Sequence, residues 1–252
     1  MSLTTEQWHA QFLKQSAWTA SLRAFLFNQA NLQTAKNILE IGCGTGAITQ
    51  SLNPAPNSRV FGIDSLTERV SFAHIADGKT NFNCADALAL PFAAAQFDLC
   101  YCHYFLLWMN TQAEESIQEM MRVTRPGGTI LALAEPDYSA RIDFPAELIP
   151  LGQMQIRSLA DQGACINMGR QLPGLFSQAG LKDIRFGQSG FQNNIGTLSN
   201  SFESEWEMLR LDLGDSLSPQ EFARLKEIDF QAWKNGTRVL CIPTFYALGI
   251  VE

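Results

Sequence analysis

A short apolar strand that runs into a glycine-rich turn is the feature that most constrains how this chain folds. Residues 36–41 read as a buried strand, a GxGxG turn follows at Gly42–Gly46, and residues 47–52 are predicted to be helical. Glycine has no Cβ atom, so such a turn lets the backbone reverse tightly and approach a ligand closely. The segment therefore predicts a strand, a ligand-binding turn and a helix in succession.

Strands and helices alternate through the first half of the chain. Hydrophobic residues at helical spacing indicate an N-terminal helical region from Thr4 to Ala30, which opens with a capping box of Thr4 and Gln7. Beyond the glycine turn, the pattern predicts strands at 58–63, 80–84, 97–102 and 129–134, and capped helices at 65–76 (Ser65 with Glu68) and 111–123 (Thr111 with Glu114). Alternation of this kind implies a parallel sheet.

The regular alternation of strands and helices ends after Glu135. We predict an irregular loop at 137–145, helices at 146–160, 172–179, about 203–211 and from Ser218 onward, and strands at 181–191 and 238–251. No linker or repeat divides the chain, so we expect one domain over 1–252. Its expected parts are an N-terminal cap at 1–34, a core at 35–137, an insertion at 138–180 and a C-terminal part at 181–252.

Charge and composition restrict the partners of the chain. A net charge of −7 and the lack of a basic run disfavour nucleic acid, which is bound mainly through Lys and Arg. The six cysteines form no CxxC pair and no zinc-site spacing, so we expect free thiols and no metal site. No secretory leader or membrane-spanning run is recognisable, and we expect a cytoplasmic protein with a small-molecule partner. The sequence does not determine its oligomeric state.

Four motifs, taken in order, carry a resemblance to a known family. Glu40 lies two residues before the GxGxG turn, and Asp64 ends the second strand in the run Phe-Gly-Ile-Asp. The segment 83–92 follows the third strand with Asp86, and 97–102 with 122–129 match a fourth strand and the turn into a fifth. These segments resemble the class I S-adenosylmethionine (SAM)-dependent methyltransferases of the UbiE-like branch.

The resemblance implies a fold of the α/β class. This is the Rossmann-like methyltransferase fold, a mostly parallel seven-stranded sheet with helices on both faces. Here it is extended by N-terminal helices and a helical insertion. Ligands of open α/β sheets bind at the carboxyl ends of the strands, where the glycine turn lies.

The resemblance also implies where SAM binds. In the family, an acid at the end of the second strand holds the ribose hydroxyls, and an aspartate after the third strand bonds the adenine amino group. These roles fall on Asp64 and Asp86, with Leu66 and Leu88 placed to sandwich the adenine ring. The implied cofactor-binding residues are Glu40, Gly42, Cys43, Gly44, Gly46, Asp64, Ser65, Leu66, Asp86, Ala87, Leu88 and Cys102.

The expected reaction transfers a methyl group from SAM to an oxygen, nitrogen or carbon nucleophile of a small organic molecule. A sulfonium is a good leaving group, so holding the nucleophile in line matters most and a general base is optional. The candidate bases follow the fourth and fifth strands, at His103, Tyr104 and Glu135. The candidate substrate-binding residues are Trp18, Asp137, Tyr138 and Arg170.

Other functions stay open on the sequence alone. A protein that binds SAM or S-adenosylhomocysteine (SAH) as a regulatory or partner subunit, without catalysis, fits the same motifs. An NAD-linked oxidoreductase is disfavoured, because dinucleotide-binding turns read GxGxxG. A magnesium site at Glu135 and Asp137 is a weaker interpretation, because no third ligand is recognisable.

Overall fold

The computed structural model describes residues 3–189 and 202–252. None of the helices in these ranges has the length and apolar character needed to cross a bilayer. The N-terminal helical region is two helices, which meet at Thr19. The helices are α1 (Thr5–Trp18), α2 (Ala20–Gln29), α3 (Thr67–Ala76), α4 (Leu106–Met109), α5 (Ala113–Val123), α6 (Ile149–Asp161), α7 (Met168–Ala179), α8 (Phe202–Leu213) and α9 (Pro219–Lys234).

Seven strands form one mostly parallel sheet in the order β3-β2-β1-β4-β5-β9-β7, as the family resemblance implies. Only β9 runs antiparallel to its two neighbours. Two short strands, β6 and β8, form a separate antiparallel pair. The strands are β1 (Asn37–Ile41), β2 (Arg59–Asp64), β3 (Asn81–Cys84), β4 (Phe97–Cys102), β5 (Thr124–Pro136), β6 (Ile142–Phe144), β7 (Lys182–Ser189), β8 (Val239–Cys241) and β9 (Thr244–Ile250).

The sheet has its switch point at β1. The chain continues from β1 to β2 on one side and later to β4 on the other, so the connections leave β1 in opposite directions. Ile41, the last residue of β1, pairs with Ile63 of β2 and Cys102 of β4. A crevice opens at such a point because the two connections diverge, and open α/β sheets bind their ligands there. The glycine turn leaves β1 at this position.

Hydrophobic burial on both faces holds β1 at the centre. Leu39 and Ile41 lie in the core cluster that includes α5 and α7, whereas Ile38 lies in the cluster covered by α2. All three side chains are fully buried. A strand covered on both faces is largely apolar, and Glu40, the one charged residue of β1, is buried with hydrogen-bond partners.

Two helix predictions are wrong in detail. Residues 47–52 form only a 3-10 turn at Thr49–Ser51, because few residues separate Gly46 from Pro54 and a short segment does not repay helix nucleation. Neither α3 nor α5 has the predicted side-chain cap. At α3, the N–H of Leu66 bonds the carboxylate of Asp64 instead. The predicted caps at Thr4 and Ser218 are confirmed.

The C-terminal prediction needs one correction. The expected single strand at 238–251 is two strands, β8 and β9, which belong to different sheets. Pro243 separates them and has no N–H to continue a ladder. The strand predicted at 181–191 is present as β7, and residues 190 and 191 lie outside the described part of the chain.

A smaller core beside the sheet joins the insertion to the C-terminal part. Buried side chains of α6, α8 and α9 form this cluster. At its edge, Arg238 bonds Asp229 at 2.5 Å and Asp143 at 2.9 Å, and both Arg238 and Asp143 are almost fully buried. A buried ion pair adds little net stability when complete, but losing one partner leaves an uncompensated charge.

We therefore predict that Arg238→Met destabilises the protein by about 3–5 kcal/mol, because buried Asp229 loses its cation, whereas Asp143 keeps Arg141 at 2.6 Å. Urea denaturation measures the free energy of unfolding. Arg224→Met is the matched control, since the ion pair of Arg224 with Glu221 is exposed and screened by solvent. Equal effects of the two substitutions would contradict the prediction.

Candidate functional site

The glycine turn has a backbone conformation that side chains other than glycine rarely adopt. Gly42, Gly44 and Gly46 have φ angles of +69°, +54° and +79°. A Cβ on Gly42 would overlap the ring of Phe105, and one on Gly46 would lie 2.9 Å from Phe82. The turn is tied to the neighbouring strand, because Cys43 N–H donates to the carbonyl of Ile63 at 2.8 Å. Backbone conformation thus favours glycine at all three positions, and space requires it at Gly42 and Gly46.

Asp64 connects the turn to the second strand. Its Oδ2 accepts the N–H of Gly44 and its Oδ1 accepts the N–H of Leu66, both at 2.9 Å. The side chain is largely buried, with 8% of its surface exposed. Each carboxylate oxygen has two lone pairs, so both oxygens keep the capacity to accept a hydroxyl from a ligand.

A second aspartate lies at the same edge of the sheet. Asp64 pairs with Cys84 across β2 and β3, and Asp86 follows Cys84 by two residues. Asp86 accepts the N–H of Leu88 at 2.9 Å and is exposed. Around these acids, the structure brings together exposed Ser65, exposed Leu66, buried Ala87 and half-buried Leu88.

The first helix covers the turn. His9 Nδ1 lies 2.9 Å from the hydroxyl of Thr45, and Phe12 lies 3.6 Å from the Cβ position of Gly44. Arg69 of α3 lies over the ring of Phe12, with 5.5 Å between the guanidinium carbon and the ring centroid. The N-terminal cap that the sequence predicts therefore lies over the glycine turn.

Glu40 is directed into the core rather than toward solvent. The hydroxyls of Thr49 and Tyr101 both donate to Oε2, the latter at 2.8 Å. Burial raises the pKa of Glu40 to about 7, and the two hydroxyls oppose that rise. Its observed bonds hold the turn against β4, and a role toward the cofactor stays a prediction.

Cys102 needs a correction. Its side chain is fully buried in the core cluster, so its thiol is not available to a ligand in the crevice. The residue lies at the end of β4 as expected, paired with Ile41, but its side chain points into the sheet packing.

Glu135 is also misinterpreted by sequence reasoning. Its Oε1 accepts the N–H groups of Phe105 and Leu106, and its Oε2 accepts that of Leu107, at 2.9–3.0 Å. The carboxylate therefore satisfies the free N–H groups at the start of α4, where a negative charge is favoured. Although burial raises its pKa to about 7, both oxygens are engaged and the side chain has no exposed surface. We conclude that Glu135 is a helix cap and not a general base.

His103 lies at the start of a buried polar chain. Its Nε2 lies 2.9 Å from the hydroxyl of Thr19, and that hydroxyl accepts an N–H of Arg23 at 2.7 Å. Burial, and then the charge of Arg23, lowers the pKa of His103 to about 3. The imidazole is therefore neutral at physiological pH. Sequence reasoning missed Thr19 and Arg23, which looked like ordinary positions of an amphipathic helix.

Tyr104 and Tyr138 line the same region from two segments. Tyr104 has a φ angle of +50°, and its N–H donates to the carbonyl of Ala134 at 3.0 Å. Burial raises the pKa of its phenol above the usual range. Tyr138 is half-buried, and burial raises its pKa to about 12. Both phenols are therefore neutral hydrogen-bonding groups.

Two predicted substrate-binding residues bind each other. Arg170 donates to both carboxylate oxygens of Asp137, with 3.0 Å between Nη2 and Oδ1. Ser139 donates to the same carboxylate at 2.6 Å. Asp137 is almost fully buried, so this pair fixes the loop after β5 and engages two of the three guanidinium nitrogens of Arg170. Trp18, at the end of α1, is 55% exposed.

Glu40 provides a pH-dependent prediction. Its pKa is higher in the folded than in the unfolded protein, so its contribution to stability is present below about pH 4.5 and lost as the pH rises through about 7. Glu40→Gln should therefore reduce the loss of unfolding free energy between pH 4 and pH 8 by about 3 kcal/mol. Urea midpoints across this range measure the change. Exposed Glu115→Gln should keep the wild-type slope, and an unchanged slope in Glu40→Gln would contradict the assignment.

Comparisons with known proteins agree with this arrangement. Residues 39–132 match a family model described as a methyltransferase domain. The chain is 25% identical over 203 residues to the O-methyltransferase resE of Aspergillus sclerotiorum, covering 77% of this chain and 73% of the relative. It is 31% identical over 106 residues to a malonyl-[acyl-carrier protein] O-methyltransferase of Erwinia billingiae, which is 42% of this chain and 41% of that relative.

A solved structure has the same fold. The N-methyltransferase NodS of Bradyrhizobium japonicum, in complex with SAH, superposes with a TM-score of 0.56 at 16% identity. The superposition covers 95% of this chain and 88% of NodS. Both the family model and the fold agree with the resemblance that the motifs indicated. Residues 39–132 therefore match a methyltransferase domain, and the chain has the fold of the class I SAM-dependent methyltransferases.

Proposed function

We propose that the chain binds SAM at the glycine turn and transfers its methyl group to an oxygen of a small organic molecule. The observation that carries the proposal is the geometry of Asp64, which is held by the turn and by Leu66 at the switch point of the sheet. Two carboxylates beside a turn without Cβ atoms fit adenosine, whose ribose hydroxyls and amino group are hydrogen-bond donors.

In this proposal each part of the cofactor has its own set of residues. Asp64 would accept the ribose hydroxyls, Asp86 the adenine amino group, and Leu66 with Leu88 would cover the faces of the ring. The glycine turn would approach the methionine part through its backbone. When bound, the cofactor supplies an electrophilic methyl group, and the chain supplies orientation and exclusion of water.

The acceptor is proposed to be an oxygen nucleophile. The curated relatives described above are named O-methyltransferases, and this favours oxygen over nitrogen or carbon. The alignment with the malonyl enzyme spans about two-fifths of that protein, so its substrate does not transfer to this chain. We propose that α1 and the segment 138–180 enclose the acceptor, beside Tyr104 and Tyr138.

The first test removes the proposed ribose contact. Asp64→Asn should weaken SAH binding about 10- to 100-fold, because hydrogen bonds to a charged acceptor are lost. Isothermal titration calorimetry measures the affinity, and circular dichroism verifies the fold. Asp77→Asn is the matched control, since Asp77 accepts similar local bonds from Lys79 and Thr80 away from the turn. The proposal would be contradicted if folded wild-type protein showed no heat of binding on titration with SAM or SAH.

The second test changes the turn itself. Gly44→Ala should weaken SAH binding at least about tenfold, because alanine disfavours a φ angle of +54° and the turn would have to change its backbone conformation. Gly174→Ala, inside α7 with open space around it, should leave the affinity unchanged. Equal SAH affinity in the two variants would contradict the proposal that the turn contacts the cofactor. Formation of SAH with an added acceptor distinguishes an enzyme from a non-catalytic SAM-binding protein.

A further inference from the structure

An open cavity lies between α2 and the segment that follows the glycine turn. Its volume is about 290 Å³, which is roughly ten times the share of liquid volume that one water molecule takes. One face of α2 forms the first wall, and residues 32–33 with 51–53 form the second. Neither the glycine turn nor Asp64 or Asp86 lines it. The apolar part of the lining consists of Ala20, Ala24, Phe27, Leu32 and Leu52.

Arg23 is the charged side chain of this lining. It is 8% exposed, and burial lowers its pKa, an effect that attraction to Glu40 opposes. Within residues 3–189 and 202–252, no carboxylate lies within ion-pairing distance of the guanidinium. An arginine keeps its proton in proteins, and a buried charge without a counter-ion is costly. Binding of an anion in the cavity would therefore relieve an existing cost.

One edge of the guanidinium is available to such an anion. The observed hydrogen bonds of Arg23 all come from Nη1, which donates to the hydroxyl of Thr19 and the carbonyl of Ser16. Across the described part of the chain, Nε and Nη2 donate to no protein atom, and neither nitrogen is fully enclosed. These two nitrogens form the planar fork with which arginine binds both oxygens of a carboxylate.

The rest of the lining is polar but uncharged. It consists of Asn28, Gln33, Ser51 and Asn53, and Gln33 Nε2 donates to the carbonyl of Asn53. An incoming anion therefore meets no like charge among the lining side chains. A single cation matches a monoanion better than a phosphate dianion, and the apolar wall matches a short hydrocarbon chain.

We propose that this cavity binds a small aliphatic carboxylic acid, with its carboxylate on Arg23 and its chain against the apolar wall. The inference goes beyond the proposed function and does not depend on it, because the cavity and the proposed cofactor site share no residue. The acid is a second ligand of the protein and not the methyl acceptor.

The methionine part of SAM also carries a carboxylate, so the experiment has to separate two sources of the same group. Butyrate is titrated into protein without SAH and into protein with excess SAH, beside butyramide and butanol as neutral analogues. Saturation-transfer NMR measures the dissociation constants. We expect butyrate to bind under both conditions, and the neutral analogues to bind at least about tenfold more weakly, because they lack hydrogen bonds between two charged groups.

Substitutions in the cavity test its two parts. Arg23→Gln should weaken butyrate binding at least about tenfold, because the charged contact is lost. Ala24→Leu, at an exposed position of the same wall, should also weaken it by filling the cavity, and it leaves Arg23 in place. Arg224→Gln, in an exposed ion pair, and Ala223→Leu, at an exposed position of α9, are the matched controls and should bind like wild type. Ala24→Leu keeps the test decisive if Arg23→Gln does not fold.

The outcomes separate this inference from the proposed function. Equal affinity for butyrate and its neutral analogues would overturn the inference, as would unchanged butyrate affinity in folded Arg23→Gln or Ala24→Leu. Displacement of butyrate by SAH would also overturn it, because the carboxylate of the cofactor would then occupy Arg23. Folded protein that binds butyrate but shows no heat with SAH would contradict the proposed function alone and support the carboxylate site.

Discussion

The carboxylate of Asp64 is the contact on which the candidate site depends. It accepts one N–H from the glycine turn and one from the residue before α3, and so joins two connections that diverge from neighbouring strands. The N–H of Cys43, which donates to the carbonyl of Ile63, and the contact of Thr45 with His9 hold the same turn from β2 and α1. Among these contacts, Asp64 shapes the edge of the crevice and remains able to accept bonds from a ligand.

Buried polar groups in this protein serve the fold more often than sequence reasoning assumes. Glu135 looks like a base because it follows a strand at the crevice, yet it satisfies three N–H groups at the start of α4. Asp137 and Arg170 look like substrate ligands, yet they neutralise each other. Before an ionisable group near a site is given a chemical role, its hydrogen bonds to backbone N–H groups and its ion pairs within the protein have to be identified.

In helix α2, by contrast, a residue near the crevice was missed by the sequence analysis. Arg23 occupies a helical position to which the sequence analysis gives no role, and the fold brings it to Thr19 and His103 beside the end of β4. The sequence separation between Thr19 and His103 is 84 residues, and nothing local in either segment indicates that they meet. The electrostatic character of the crevice, with a buried cation and a neutral imidazole, follows from this meeting.

The sequence by itself determined the alternation of strands and helices in the first half of the chain, the glycine turn and the two aspartates beside it. These features depend on local rules: apolar runs make buried strands, glycine permits positive φ angles, and the acids follow directly where strands end. Only the tertiary structure decided which side chains are engaged, that Cys102 points into the core, and that residues 47–52 form little helix. Those outcomes depend on contacts between segments far apart in the chain, where competition for hydrogen bonds and space overrides local propensity.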